Sequence, residues 1–171
     1  MCLIMKVWKR VMKRRLRDIT EVFGNQFGFM PGWLAMEAIY LLRRGIEKHR
    51  EKKRYIHMVF IDLEKAYDRV LRNIIWWVLV KKWVSTGYID VFRDMYKGVV
   101  ITITSPNAET NEFPITIGLH QGSTLSLYLF ALVMDELTRN IQDDMPCCML
   151  FADDIVLVNE TREGVNIKLE T

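Results

Sequence analysis

The sequence predicts an α+β fold. Three observations predict it: apolar residues at helical spacing in several stretches, short apolar runs of strand character between them, and an irregular order of the two kinds without repeat or linker. A doubly wound parallel sheet needs strands and helices in regular alternation, which this chain lacks. With 171 residues, half of them apolar, it is long enough to bury a sizeable core and is read as one domain or part of a larger one.

Residues 2–18 set Leu3, Val7 and Val11 beside Ile4, Trp8 and Met12, with basic residues on the other faces, which is helical spacing. "FGNQFGFMPGW", residues 23–33, is rich in Gly and Asn with one Pro and predicts an ordered loop. Residues 35–53 return to the helical period through Met36, Ile39, Leu42 and Ile46 and end in "EKHREKKR". "YIHMVFID", residues 55–62, predicts a buried strand that ends on a carboxylate. Helical stretches follow at 73–84 and 88–96. Then "VVITITS" and "EFPITIG" flank "PNAETN", a hairpin signal with a longer connection. Residues 124–141 predict a helix, apolar in its first half and more charged in its second. "CMLFA" and "IVLV" predict two short strands about a tight turn that carries Asp153 and Asp154.

Composition narrows the function classes. The opening "MCLIMKVWKR" is too brief for a secretory core, and the longest apolar run, "IIWWVLV", is far too short to span a bilayer, so no membrane partner is expected. The cysteines, Cys2, Cys147 and Cys148, form no zinc spacing and are odd in number, which points to a reducing, intracellular setting with thiols as small apolar residues. The net charge of +3 is unevenly spread: residues 1–54 hold 14 Lys and Arg against 5 acids, while residues 55–171 hold 10 against 16. A basic surface attracts a polyanion and clustered acids attract metal cations; a solvated charged helix face is the plainer account of the same numbers.

The acids sit where a strand would otherwise continue. "CCMLFADDIVLVNE" runs apolar into Asp153–Asp154 and apolar out again, and Asp62 follows "MVFI" directly. Adjacent carboxylates among apolar residues are costly unless something offsets their charge. A divalent cation held from neighbouring strands would do so, since Mg²⁺ is a hard ion that takes one or two carboxylates plus waters and substrate phosphates. Alone, "ADDI" also reads as a hairpin turn and Asp62 as a helix N-cap.

The surroundings are more specific. "VFIDLEKAYDRV" (59–70), "GLHQGSTLSLYLF" (118–130) and "LFADDIVL" (150–157), in that order, resemble the palm motifs of reverse transcriptases, in particular those of non-LTR (LINE-type) retrotransposons. "NQFGFMPG" (25–32) resembles the segment that precedes the palm in that family, so the resemblance spans nearly the whole chain. It implies a reverse-transcriptase-like right-hand palm with part of the fingers and no thumb: residues 1–54 as basic fingers-side helices and loop, residues 55–171 as palm. It implies Asp62 and Asp153 as the principal metal ligands and catalytic acids, Asp154 as the second acid of the turn, and two Mg²⁺ ions, or Mn²⁺, as cofactor. Tyr67 matches the bulky position that crowds the sugar 2′ carbon, and Gln121 and Gly122 match the loop that lines nucleotide and template. Lys13, Arg14, Arg15 and Arg17, with Lys52, Lys53 and Arg54, are candidates for backbone phosphates; Phe27, Phe29 and Trp33 fit base stacking or core packing.

Four departures from the family pattern stand out. Trp33-Leu34-Ala35 replaces an Arg-Ser-Thr run, and Leu127 replaces a Pro after Ser126, which is expected to loosen the start of that helix. By the same resemblance, this stretch is expected to start after the upstream finger strands and to end soon after the Asp pair, without thumb or endonuclease. The resulting expectation is an RNA-directed DNA polymerase fragment of a retrotransposon, acting with an RNA template, a DNA primer and deoxynucleoside triphosphates. The isolated chain is expected to polymerise weakly or not at all, because positioning supplies much of the rate. A catalytically inactive nucleic-acid-binding remnant is the alternative.

Overall fold

A computed structural model describes residues 3–30, 32, 35–106, 108–142 and 147–170. Helices α1 (Leu3–Ile19) and α2 (Ala35–Glu51) precede strand β1 (His57–Asp62). The short α3 (Ala66–Arg69), α4 (Arg72–Lys81) and α5 (Thr86–Tyr96) follow. Two-residue strands β2 (Val100–Ile101), β3 (Thr104–Ser105), β4 (Ala108–Glu109) and β5 (Phe113–Pro114) come next. Helix α6 (Thr124–Leu137), a 3₁₀ turn (Arg139–Ile141), β6 (Cys148–Phe151), β7 (Asp154–Asn159) and α7 (Arg162–Glu170) complete the chain.

Helix α6 is the centre of the core. Its segment is apolar nearly all round, so it can be buried on every face, and every residue from Leu125 to Glu136 except Leu127 is buried. Helix α1 packs on it through Met12 and Leu16, and α4 through Ile75, Val78 and Leu79. The Tyr128 hydroxyl donates to the Thr20 carbonyl (3.1 Å) and shares a hydrogen bond with Thr20 Oγ1 (2.9 Å), tying the end of α1 to α6. Burial of such a set contributes of order 25 cal/mol per Å² of apolar surface, so this helix carries much of the folding free energy.

The principal sheet is antiparallel in the order β1-β7-β6, with Met58 opposite Val158 and Leu150 opposite Ile155. Its β6 edge is covered by the 25–28 loop, which bridges Gln26 to Leu150 in parallel and exchanges the bonds Phe27 N–H to Leu150 O (2.8 Å) and Leu150 N–H to Asn25 O (2.9 Å). Those bonds satisfy an edge that would otherwise be exposed.

Several expectations are revised. Strand β1 is not buried: none of its six residues is, and Phe60 is 68% exposed, because the strand lies at the edge of the sheet, paired among the described strands with β7 alone. The hairpin is present but split. Ile101 pairs with Phe113 and Thr104 with Glu109, so two residues on one side face three on the other, the count of a β-bulge. The helix expected over 124–141 ends at Leu137 and tightens into the 3₁₀ turn. The start of α6 is not loosened by Leu127, whose N–H makes the first helical bond to Ser123 O (3.2 Å), a bond a proline could not make. The α7 helix had no counterpart in the sequence reading. Cys148 is buried in β6 as a small apolar residue, while Cys2, Trp33 and Leu34 lie outside the described residues. Among the described residues, no helix is long and apolar enough to cross a membrane.

Candidate active site

The register of β1 on β7 places Asp62 directly opposite Asp154. Asp153 is the last residue of the two-residue turn from Phe151 to Asp154, so Asp62, Asp153 and Asp154, from two distant segments, stand at the same end of the sheet. Asp62 and Asp154 are exposed and Asp153 is half-buried, which answers the question of cost: the acids stand at the sheet's open end, where water solvates them, and not inside the strand. Partial burial, together with the charges of Asp153 and Asp62, pushes the Asp154 carboxyl above its ordinary range. None of the ion pairs among the described residues involves any of the three.

The turn is held from behind. Ala152 adopts a left-handed conformation (φ 59°), an uncommon one for a residue with a Cβ, and Gly28 of the covering loop lies against its backbone. A Cβ on Gly28 would stand 2.2 Å from Ala152 N, so only glycine permits the approach.

Tyr67 lies on α3, five residues beyond the end of β1. Its ring packs on Phe130 of α6 (centroids 5.5 Å apart), and Phe130 in turn meets Phe29 edge-on (6.3 Å). The Tyr67 hydroxyl is buried near the Ser126 hydroxyl, which Tyr96 also engages (3.0 Å); burial pushes it well above the ordinary tyrosine range, and Ser126 offsets only part of that rise. The 118–122 loop docks on the same helix. Gly118 N–H donates to Val70 O (2.9 Å) and Leu119 N–H to Tyr67 O (3.1 Å), while Gly118 (φ +78°) is so close to Asp68 that a Cβ would sit 2.6 Å from its carbonyl oxygen. Gln121 then donates its amide to Asp68 Oδ1 (2.8 Å).

One cavity of about 290 Å³ collects Tyr67, Gln121, Gly122 and Asp153, together with Phe29, Asp68, Leu127 and Phe130. It is near the lower end of small-molecule sites, roughly 300 Å³. Four of the residues singled out from the motifs share it, and Asp62 stands opposite Asp154 next to it in the chain. Asp68 was missed by the sequence reading, although it adjoins Tyr67 in "AYDR".

The basic candidates separate. Arg17 points inward, donating to Phe29 O (3.1 Å) and lying 4.9 Å over the Tyr128 ring; Arg15 reaches the Tyr88 hydroxyl (3.4 Å). Arg14, Lys52 and Lys53 are exposed, Lys13 is half-buried, and Arg54 pairs with Glu160.

Among the described residues no three His, Cys, Asp or Glu side chains form a ready-made metal cluster. The donor set still fits a hard divalent ion: carboxylate oxygens, and like-charged neighbours that raise Asp154. Mg²⁺ completes its shell with water and substrate phosphates and does not require a protein cage.

A family model for reverse transcriptase (RNA-dependent DNA polymerase) matches residues 1–171. The chain is 26% identical over 168 residues to the retrovirus-related Pol polyprotein from the type-2 retrotransposable element R2DM of Drosophila melanogaster, covering 94% of this chain and 16% of that protein. It is 28% identical over 181 residues to the probable RNA-directed DNA polymerase from transposon BS of the same species, covering 97% and 20%. It thus spans a fifth or less of the length of these curated relatives. In fold it is similar to a telomerase from Candida tropicalis (TM-score 0.69, 11% identity, 98% of this chain and 30% of that one) and to one from Candida albicans (TM-score 0.67, 12% identity, 97% and 31%). The mixed helix-and-strand architecture is therefore reverse-transcriptase-like, and the retrotransposon resemblance drawn from the motifs is borne out by the relatives. By the match along its whole length, the chain belongs to the reverse transcriptase (RNA-dependent DNA polymerase) family.

Proposed function

We propose that the chain is the catalytic palm, residues 55–171, with fingers-side elements, residues 1–54, of an RNA-directed DNA polymerase of a retrotransposon. The observation that carries this reading is the shared cavity of Asp153, Tyr67, Gln121 and Gly122, with Asp62 opposite Asp154 at its side. Asp62 and Asp153 would hold divalent Mg²⁺, with Asp154 as the second acid of the turn. When bound, such ions lower the charge barrier to phosphoryl transfer at the attacking and leaving oxygens.

This chain's own residues do the positioning. The Tyr67 ring, wedged against Phe130, presents a rigid wall that excludes a sugar 2′ hydroxyl by contact and so selects deoxynucleotides. Its hydroxyl remains protonated at neutral pH and does not act as a base. Gln121, fixed by Asp68, offers an amide to the incoming nucleotide or the template base, and Gly122 leaves the backbone open to close approach. The bond formed joins a primer 3′ oxygen to the α-phosphorus of the nucleotide; the bond broken releases pyrophosphate, and the hydroxyl proton leaves to solvent. RNA as template agrees with the telomerase of the similar fold, whose structure was determined with a fragment of telomeric RNA.

The test is primer extension on an RNA template with Mg²⁺, comparing the chain with Asp153→Asn. Extension by the parent, lost by at least about a thousandfold (about 4 kcal/mol of transition-state stabilisation) in the variant, supports the reading. Extension that survives the substitution rules the mechanism out. Tyr67→Val is expected to keep extension with deoxynucleotides and to admit ribonucleotides.

A further inference from the structure

We propose that a second cavity, between α1 and the start of α6, seats a phosphate group brought by nucleic acid or by a nucleotide. The cavity measures about 210 Å³ and is lined by Lys6, Lys9 and Arg10 from α1 and by Gly122, Ser123 and Thr124. The inference rests on the polymerase reading for the identity of its ligand, but its chemistry is read from the cavity itself.

Among the described residues, every ionisable group that lines it is a cation. Lys6 and Arg10 enter none of the ion pairs among the described residues, so their charge is available to a ligand. Helix α6 is 14 residues long and begins here without a side-chain cap, so its first amides and its positive end face the cavity. A helix start alone would not make a site. The second observation is Ser123: it is 3% exposed, it lines the cavity, and its Oγ has no hydrogen-bond partner among the described residues. A buried hydroxyl left unpaired costs roughly 1–3 kcal/mol, and a phosphate oxygen would satisfy it. Lys9 is set in place from the far side, its Nζ 3.3 Å from His120 Nδ1, while the His120 ring stacks on Tyr96 (centroids 4.1 Å).

Gly122 ties the two cavities together. It lines both the phosphate seat and the cavity of Asp153, Tyr67 and Gln121, and nothing lies within 4 Å of where its Cβ would be. A phosphate seated here would therefore lie next to the cavity proposed for the nucleotide, which is where a strand passing over the loop would place one. The cationic contacts then lie on the first half of α1, ahead of the Lys13–Arg17 run that the sequence points to.

The experiment is fluorescence-anisotropy titration of a short labelled single-stranded RNA, and calorimetric titration of a deoxynucleoside triphosphate, both in EDTA over a range of NaCl. The proteins are the parent chain, Lys6→Gln/Arg10→Gln, Ser123→Ala, and the charge-matched control Arg93→Gln/Lys97→Gln. All of the exchanged cations are exposed, and circular dichroism checks the fold. For a strand phosphate, Lys6→Gln/Arg10→Gln weakens RNA binding at least about tenfold and lowers the slope of log affinity against log salt by up to about 1.4. Ser123→Ala weakens it several-fold at unchanged slope, and the control changes it less than twofold. If the triphosphate loses affinity and the RNA does not, the seat holds a nucleotide phosphate. The proposal is overturned if neither ligand loses affinity, if the control loses as much as Lys6→Gln/Arg10→Gln, or if the parent binds neither ligand. Catalysis is absent from these measurements, so extension that survives Asp153→Asn would sink the polymerase mechanism and leave this proposal standing, while unchanged binding in Lys6→Gln/Arg10→Gln would sink this proposal and leave the polymerase reading standing.

Discussion

Gly28 shows how much a single position contributes to the site. A Cβ there would meet Ala152 N at 2.2 Å, Ala152 Cα at 2.9 Å and Phe151 C at 3.0 Å, all backbone atoms that cannot swing aside. Either the covering loop lifts from β6, breaking the bonds around Leu150, or the Asp153 turn moves. Gly28→Ala is therefore expected to destabilise by about 1–3 kcal/mol in urea unfolding. Gly24→Ala in the same loop meets nothing within 4 Å, and its effect should stay within about 0.5 kcal/mol. Equal effects of the two would show that the close approach at Ala152 is not what the glycine is for. The residue-level part of the site was visible beforehand because Asp and Gly residues in ordered motifs name their own chemistry. Asp68 was not, because its part depends on the 118–122 loop folding back onto α3, a contact between residues about fifty positions apart.

Among the elements, α4 and α6 are joined by charges at the edge of their apolar seam. Asp135 and Glu136 are buried, and each is met by a lysine of the α4 end, Lys82 and Lys81. Burial alone would push the Glu136 carboxyl up, but the hydrogen bond and charge of Lys81, with Arg139 and Lys82, hold it below the usual carboxylate range. Asp135 also accepts the Phe23 N–H (2.9 Å), so it links α4, α6 and the segment after α1. Lys82→Met strands that carboxylate and is expected to cost about 3–5 kcal/mol in urea unfolding, while adding Asp135→Leu should recover much of the loss. A double variant as unstable as the sum of the singles would mean the pair does not couple. Elements with a continuous apolar face, such as α6, were legible in the sequence. Helix α7 was not: of its nine residues only Val165 is buried, so no stripe marks it. Its start is set instead by local bonds, Asn159 Oδ1 accepting from Thr161 N–H (3.0 Å) and Thr161 Oγ1 from Gly164 N–H (3.0 Å). That cap was the one available signal.

At the scale of the molecule, the antiparallel return of β7 on β1 was the step that periodicity could not supply. The motifs named Asp62 and Asp153–Asp154 separately, and pairing between strands some ninety residues apart brought them to one end of the sheet. The same folding brings His120 to a junction of elements. Its ring stacks on Tyr96 of α5, lies 3.3 Å from Lys9 Nζ of α1, and shares a cavity wall with Arg72 of α4 and with Asp68. Burial, followed by the charges of Lys9 and Arg72, lowers its pKa from 6.5 to about 4. The unfolded chain then binds more protons than the folded one between these values, so stability rises with pH across that window. It is fully present above pH about 6.5 and is lost as pH falls toward about 4. Carboxylates elsewhere add their own acid sensitivity, so the measurement is a comparison: urea unfolding from pH 7 to 4 for the parent and for His120→Gln. The amide can still accept from Lys9 but cannot take up a proton, so the variant should show the shallower decline over that range. Parallel curves would place the acid sensitivity of the fold in groups other than this histidine.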